Sequence, residues 1–141
     1  KILVVDDSRS YRAYLVALLE RYFYTTLQAG DGLEALDVLE THPDITLVLT
    51  DINMPRLDGF GLIARIRQRY RREDLAVIGV SDSSTPGMSA RILKAGGNDF
   101  LRKQFEQEEF YCRVTQNTNM IGYVRQIRDS ATLDFLTGVY N

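Results

Sequence analysis

The chain has 141 residues, 45% of them hydrophobic, enough for one α/β domain that buries about two thirds of its unfolded surface, with no room for a second complete domain. A formal charge of −2 and a pI near 5.4 exclude a global attraction to nucleic acid or to an anionic membrane. The lone Cys112 excludes an internal disulfide and a multi-cysteine metal site and fits a reducing cytoplasm, while no apolar stretch is long enough to cross a bilayer and no signal peptide precedes the first strand.

Val-, Ile- and Leu-rich runs alternate with helical periodicity five times, which predicts βαβ units and a parallel sheet buried on both faces. Residues 2–6 read as the first strand, followed by a helix with Tyr11, Tyr14, Leu15, Leu18, Leu19 and Tyr22 on one face. Residues 24–28 form a weaker strand nearer an edge, because Thr25, Thr26 and Gln28 intrude. Asp31-Gly32-Leu33-Glu34 is a capping box that opens a second helix ending near Thr41. His42, in the turn Thr41-His42-Pro43-Asp44, reads as a surface loop residue. Residues 45–51 are the central strand, and Asp58 caps a third helix that runs to about Tyr70. The basic run Arg65, Arg67, Arg69, Arg71 and Arg72 reads as a solvated face.

Residues 76–80 form the fourth strand, Thr85-Pro86 is an Ncap-N1 pair that starts a fourth helix, and Gly96-Gly97 stops it. Residues 98–102 are the fifth strand. A helix with an acidic first turn at Glu106, Glu108 and Glu109 then runs to about Ala131. Positions 110, 114, 117, 121, 124, 128 and 131 carry coiled-coil spacing, filled by Phe110, Val114, Ile121, Val124 and Ala131 and broken by Asn117 and Arg128. The half up to about Ile121 is expected to dock on the sheet and the rest to project toward a partner or another domain. The chain opens on strand residues without an initiator Met and closes on a turn signal, so it reads as a piece of something longer.

Four apolar runs end on reactive residues: Asp6 and Asp7, Asp51, Ser81, and Lys103. On parallel strands these side chains gather at the carboxyl edge of the sheet, where open α/β sheets bind ligands. Asp51 supplies a nucleophile for phosphoryl transfer. Three crowded carboxylates repel one another unless a cation intervenes, and Mg²⁺ suits an all-oxygen set that also meets phosphate. Lys103 would pair with a phosphoryl oxygen and Ser81 would donate to another.

In order and combination, Val4-Val5-Asp6-Asp7, Leu49-Thr50-Asp51-Ile52-Asn53-Met54-Pro55 with Asp58-Gly59, Val80-Ser81, and Lys94-Ala95-Gly96-Gly97 with Phe100 and Lys103 resemble the CheY-like receiver domain of response regulators. The resemblance spans roughly residues 1–120. It implies a doubly wound, flavodoxin-like five-stranded sheet of order 2-1-3-4-5, with Asp51 phosphorylated by a sensor histidine kinase or phosphotransfer protein. It implies Mg²⁺ on Asp7, Asp51 and the backbone carbonyl of Asn53, with Asp6 helping through water. It also implies a Ser81–Phe100 switch that reshapes the fourth helix, fifth strand and fifth helix, the face of a homodimer. Two departures stand out: Gln104 occupies the position of a cis proline, so the Lys103 loop is expected to be either trans and displaced or strained, and Asp82 adds a fourth carboxylate.

The tail from Asp129 to Asn141, with Leu133-Asp134-Phe135-Leu136-Thr137-Gly138-Val139-Tyr140-Asn141, resembles the entrance to a GGDEF-type diguanylate cyclase. That resemblance implies a helical linker over 121–133, a truncated cyclase start over 134–141, and cyclic di-GMP synthesis by the intact protein. The fragment itself would be regulatory, with no turnover beyond its own phosphorylation and dephosphorylation. Two other readings stay open: a pseudo-receiver that only mediates association, marked by Gln104 and Asp82, and a phosphatase, which would need a general acid where Asn53 stands.

Overall fold

The computed structural model describes residues 1–82 and 85–137, with side chains through Asp129; the end of the predicted cyclase start, 138–141, lies outside the described residues. Five strands, β1 (Ile2–Val5), β2 (Thr26–Ala29), β3 (Leu47–Asp51), β4 (Ala76–Ser81) and β5 (Asp99–Arg102), alternate with α1 (Arg9–Arg21), α2 (Gly32–Thr41), α3 (Gly59–Arg67), α4 (Met88–Ala95) and α5 (Gln107–Thr137). All strand pairs are parallel and the order is β2-β1-β3-β4-β5, as expected.

Strand alternation sorts the core into two layers. Leu3, Val5, Val48 and Val77 point toward Ala35 and Leu39 of α2, Leu62, Ile63 and Ile66 of α3, and Ile92 of α4. Ile2, Val4, Leu47, Leu49, Ile78 and Val80 point the other way, onto Leu15, Leu18 and Leu19 of α1 and Phe110, Val114 and Ile121 of α5. Both faces are therefore covered, and ligand access is left to the sheet edges.

α3 ends at Arg67 rather than near Tyr70 and α5 runs to Thr137 rather than about Ala131, and three elements start at least two residues later than the sequence expectation, each for a local reason. The second strand begins at Thr26, because a Schellman turn consumes the preceding residues: Phe23 N–H donates to Glu20 O at 3.0 Å and Tyr24 N–H to Leu19 O at 3.2 Å. The central strand begins at Leu47, because Ile45 N–H turns back to His42 O at 3.3 Å. The fourth helix begins at Met88. Pro86-Gly87 forms a type II turn, with Gly87 at φ 86° and Met88 N–H donating to Thr85 O at 3.3 Å, so Thr85 is not its N-cap.

In that Schellman turn Phe23 holds φ 65° while 95% exposed, a left-handed conformation that a β-carbon disfavours and that no burial offsets. Phe23→Gly is expected to stabilise the fold by about 1 kcal/mol, measured as a rise in the urea midpoint with unchanged m-value.

The reading of Arg67 as a solvated residue is wrong. It is half-buried and donates to Gly96 O (2.7 Å), Leu75 O (2.8 Å), Tyr70 O (3.2 Å) and Asn98 Oδ1 (2.7 Å), stitching α3 to α4, β4 and β5. Burial, with Arg72 adding repulsion, lowers its pKa to about 10.

α5 docks on the sheet up to Ile121 as expected and departs from expectation beyond it. Phe110, Val114, Asn117 and Ile121 face the home sheet, and Asn117 donates to Asp99 Oδ2 at 3.3 Å and Arg113 O at 2.8 Å, so its polar side chain serves β5 and its own helix. Beyond Ile121 the helix still makes polar contacts with the sheet side of the domain. Arg125 donates to Ile45 O (3.2 Å) and Asp74 O (3.1 Å), and Arg128 pairs with Asp74 at 2.7 Å, holding the Asp74 carboxyl below the usual carboxylate range. Among the described side chains beyond Thr118, the large apolar ones left exposed are Met120, Tyr123 and Ile127, at spacings of three and four and on a different stripe from the one expected.

Candidate functional site

β1 and β3 are neighbours, and the chain leaves them toward opposite flanks of the sheet, so their carboxyl ends form the switch-point crevice. Asp6 follows β1 and is 1% exposed. Its Oδ1 accepts from Ser8 N–H at 2.8 Å, and its carbonyl accepts from the Arg12 guanidinium at 2.6 Å. Ser8 in turn caps α1, accepting from Tyr11 N–H at 3.3 Å. Asp51, the last residue of β3, is 4% exposed, and its Oδ1 accepts from Asn53 N–H at 3.3 Å.

One carboxylate oxygen from each of Asp6, Asp7 and Asp51 lies within 4.8 Å of the others. Lys103 Nζ sits 3.3 Å from Asp6 Oδ2 and 3.5 Å from Asp51 Oδ2. No peptide bond among the described residues is cis, so Gln104 follows Lys103 in trans, yet the ammonium still reaches both carboxylates. Lys103 N–H donates to Ser81 O at 2.9 Å, which registers the loop against β4.

Burial raises the Asp51 pKa to about 6, helped by the Asp6 charge and opposed by Lys103. For Lys103, burial pulls the pKa down but is outweighed by Asp51, Asp6 and Asp82, so the ammonium titrates above its ordinary range. Asp6 Oδ2 is buried and accepts no hydrogen bond, with the ammonium at 3.3 Å its counter-charge. An orphaned carboxylate oxygen facing two further carboxylates suits a hard divalent cation, so the residues present fit Mg²⁺.

Ser81 is fully buried at the end of β4, one residue beyond Val80, the partner of Asp51. Phe100 lies on β5 opposite Gly79, half-buried against the layer of α2, α3 and α4. Asn53 is exposed in the β3–α3 loop, and Asp82 is exposed just past β4. Two residues near the centre were missed. Tyr11, read only as part of the apolar face of α1, donates its hydroxyl to Lys103 O at 3.0 Å. Arg12 supports the Asp6 carbonyl. Their place in the first turn after Asp6-Asp7 was the available signal, since that turn must border the crevice.

A family model for the response regulator receiver domain matches residues 2–115. The chain is 35% identical over 106 residues to a chemotaxis protein CheY homolog of Campylobacter jejuni, covering 74% of this chain and 82% of that protein. It is 32% identical to the two-component response regulator ORR7 of Oryza sativa subsp. japonica, over 72% of this chain and 49% of that protein. A solved structure of a "probable two-component system response regulator/GGDEF domain protein" superposes with TM-score 0.82 at 46% identity, covering 86% of this chain and 50% of that one. The chain thus spans about half the length of these last two relatives.

Proposed function

The chain belongs to the response regulator receiver domain family, as the receiver of a two-component response regulator, and on that premise we propose that Asp51 is its phosphoacceptor. The observation that carries this reading is the convergence of Asp6, Asp7, Asp51 and Lys103 at one sheet edge, with three carboxylate oxygens within 4.8 Å and Lys103 Nζ 3.5 Å from Asp51. An Asp51 carboxylate oxygen attacks the phosphorus of a phosphohistidine on a sensor kinase or phosphotransfer protein. The new P–O bond forms as the P–N bond breaks, and the imidazole leaves with a proton from solvent. Mg²⁺ held by Asp7, Asp51 and the Asn53 carbonyl, with Asp6 helping through water, would neutralise the carboxylates and the phosphoryl oxygens. Lys103 moves from the two aspartates to a phosphoryl oxygen, and Ser81 donates to another.

Asp82 brings a further negative charge near Lys103 and bears on how long the acyl phosphate lasts. Of the two markers of the pseudo-receiver reading, Gln104 weighs less, because the trans loop still brings the ammonium to Asp51. Ser81 and Phe100 form the switch: the hydroxyl is drawn inward and the ring takes up the vacated space, altering the face of α4, β5 and α5.

The reading of the output draws on the relatives. We assign 1–120 to the receiver, 121–133 to a helical linker and 134–141 to the start of a GGDEF-type domain, with cyclic di-GMP synthesis by the intact protein, in the cytoplasm. The 46% identity to a response regulator/GGDEF structure supports this. A homodimer through α4, β5 and α5, extended by Met120, Tyr123 and Ile127, would set the spacing of two cyclase sites. No helix among the described residues is long and apolar enough to cross a membrane. Incubation with acetyl phosphate and Mg²⁺ followed by intact mass tests the acceptor: one phosphoryl adduct is expected on wild type and none on Asp51→Asn. Absence from wild type, or persistence in the variant, removes the reading.

A further inference from the structure

The Lys103 loop needs something to hold it. Gln104 is exposed and its peptide bond is trans, so the residue after the lysine contributes neither a packed ring nor a fixed φ. The loop is gripped from both sides instead. On one side the Tyr11 hydroxyl donates to the carbonyl of Lys103 at 3.0 Å, and the Tyr11 ring lies under the ammonium, Nζ standing 4.6 Å from its centroid. On the other, the Phe105 ring stacks on Tyr14 at 6.1 Å and on Phe110 at 4.8 Å, and Tyr14 leans on Tyr11 at 5.7 Å. These rings tie Lys103-Gln104-Phe105 to α1 and to the first turn of α5.

We propose that Tyr11 is a positioning residue for Lys103: its hydroxyl fixes the backbone of the loop, and its ring face guides the ammonium to the point where it meets Asp51 and the incoming phosphoryl group. The inference deepens the phosphoacceptor reading and rests on it. The phenol is suited to the task, because burial, then Tyr14, Asp6 and Asp51, raise its pKa and keep it a proton donor at neutral pH. A neutral ring also holds a cation through its quadrupole without adding a charge to a site already rich in carboxylates.

The test compares wild type, Tyr11→Phe and Tyr11→Leu in the full chain. Tyr11→Leu is expected to slow the maximal rate of adduct formation from acetyl phosphate with Mg²⁺ roughly tenfold, and Tyr11→Phe roughly threefold, with smaller changes in the half-saturating concentration. In NMR spectra, the Lys103 side-chain protons, assigned with Lys103→Gln, should be shifted upfield by the ring in wild type and Tyr11→Phe and return to ordinary values in Tyr11→Leu. Equal maximal rates in all three proteins overturn the proposal. Should Tyr11→Leu fail to fold, Tyr11→Phe decides, since it deletes one oxygen: a rate equal to wild type overturns the role of the hydroxyl. A wild type that forms no adduct removes the phosphoacceptor reading instead. The proton shifts then carry the test alone, and identical Lys103 shifts with and without the ring overturn the positioning.

Discussion

Asp51→Asn is expected to make the metal-free protein more stable at neutral pH, by about 2 kcal/mol, even as it abolishes phosphorylation. The Asp51 carboxyl titrates near 6 in the folded chain against a reference value of 3.8, chiefly because it is buried and lies beside Asp6. The native state therefore binds the proton more tightly than the unfolded state. Stability is highest below the unfolded pKa, falls as pH rises between about 4 and 6, and stays reduced above the folded value. The difference of roughly two pK units bounds the loss at about 3 kcal/mol, and the imperfect fit of an amide in the place of a carboxyl trims the gain. Urea unfolding in EDTA at a series of pH values measures this directly. Wild type and Asp51→Asn should coincide near pH 4 and diverge above it, and Mg²⁺ should stabilise wild type far more than the variant. Parallel pH profiles would mean that Asp51 is not a strained carboxylate.

Gly59→Ala should be the most damaging one-carbon change near the site. A β-carbon there would stand 2.6 Å from the carbonyl oxygen of Asp51, 2.6 Å from Ile52 Cα and 2.7 Å from Ile52 Cδ1. Two of those atoms are backbone, so the clash cannot be relieved by a rotamer change. The approach is close because Gly59 N–H donates to Ile52 O at 2.8 Å, pressing the start of α3 against the end of β3. The expected cost is about 3 kcal/mol, read from the urea midpoint. Because the displaced peptide is that of Asp51, adduct formation should fall more than in a comparably destabilised core variant such as Ile66→Ala. Equal stability with wild type would show that the loop relaxes freely and that β3 and α3 are not in forced contact.

The parallel sheet and the reactive residues at the strand ends were legible because both rest on one regularity, an apolar run ending on a polar residue, whereas the order 2-1-3-4-5 came only with the resemblance to the receiver family. Asp6, Asp7, Asp51, Ser81 and Lys103 each follow such a run, and parallel pairing does the rest. What stayed hidden depends on contacts between distant segments. Arg67 follows Ile66 in a basic run, and nothing local shows that carbonyls of Leu75 and Gly96 wait for its guanidinium. Docking of α5 up to Ile121 was expected, yet nothing local shows that Arg125 and Arg128 beyond it reach back to Ile45 and Asp74. Pro86 signals a helix start equally with a type II turn, and Gly87 at positive φ decides for the turn. Tyr11 looked like core because its hydroxyl partner lies 92 residues away.

Signalling through this domain turns on an acyl phosphate at one residue. Borohydride reduction of the protein after acetyl phosphate and Mg²⁺ treatment converts such a group to homoserine, which peptide sequencing locates. Homoserine at position 51, and its loss when Mg²⁺ is withheld, is the predicted result; homoserine elsewhere, or none in a protein shown to carry phosphate, would contradict it.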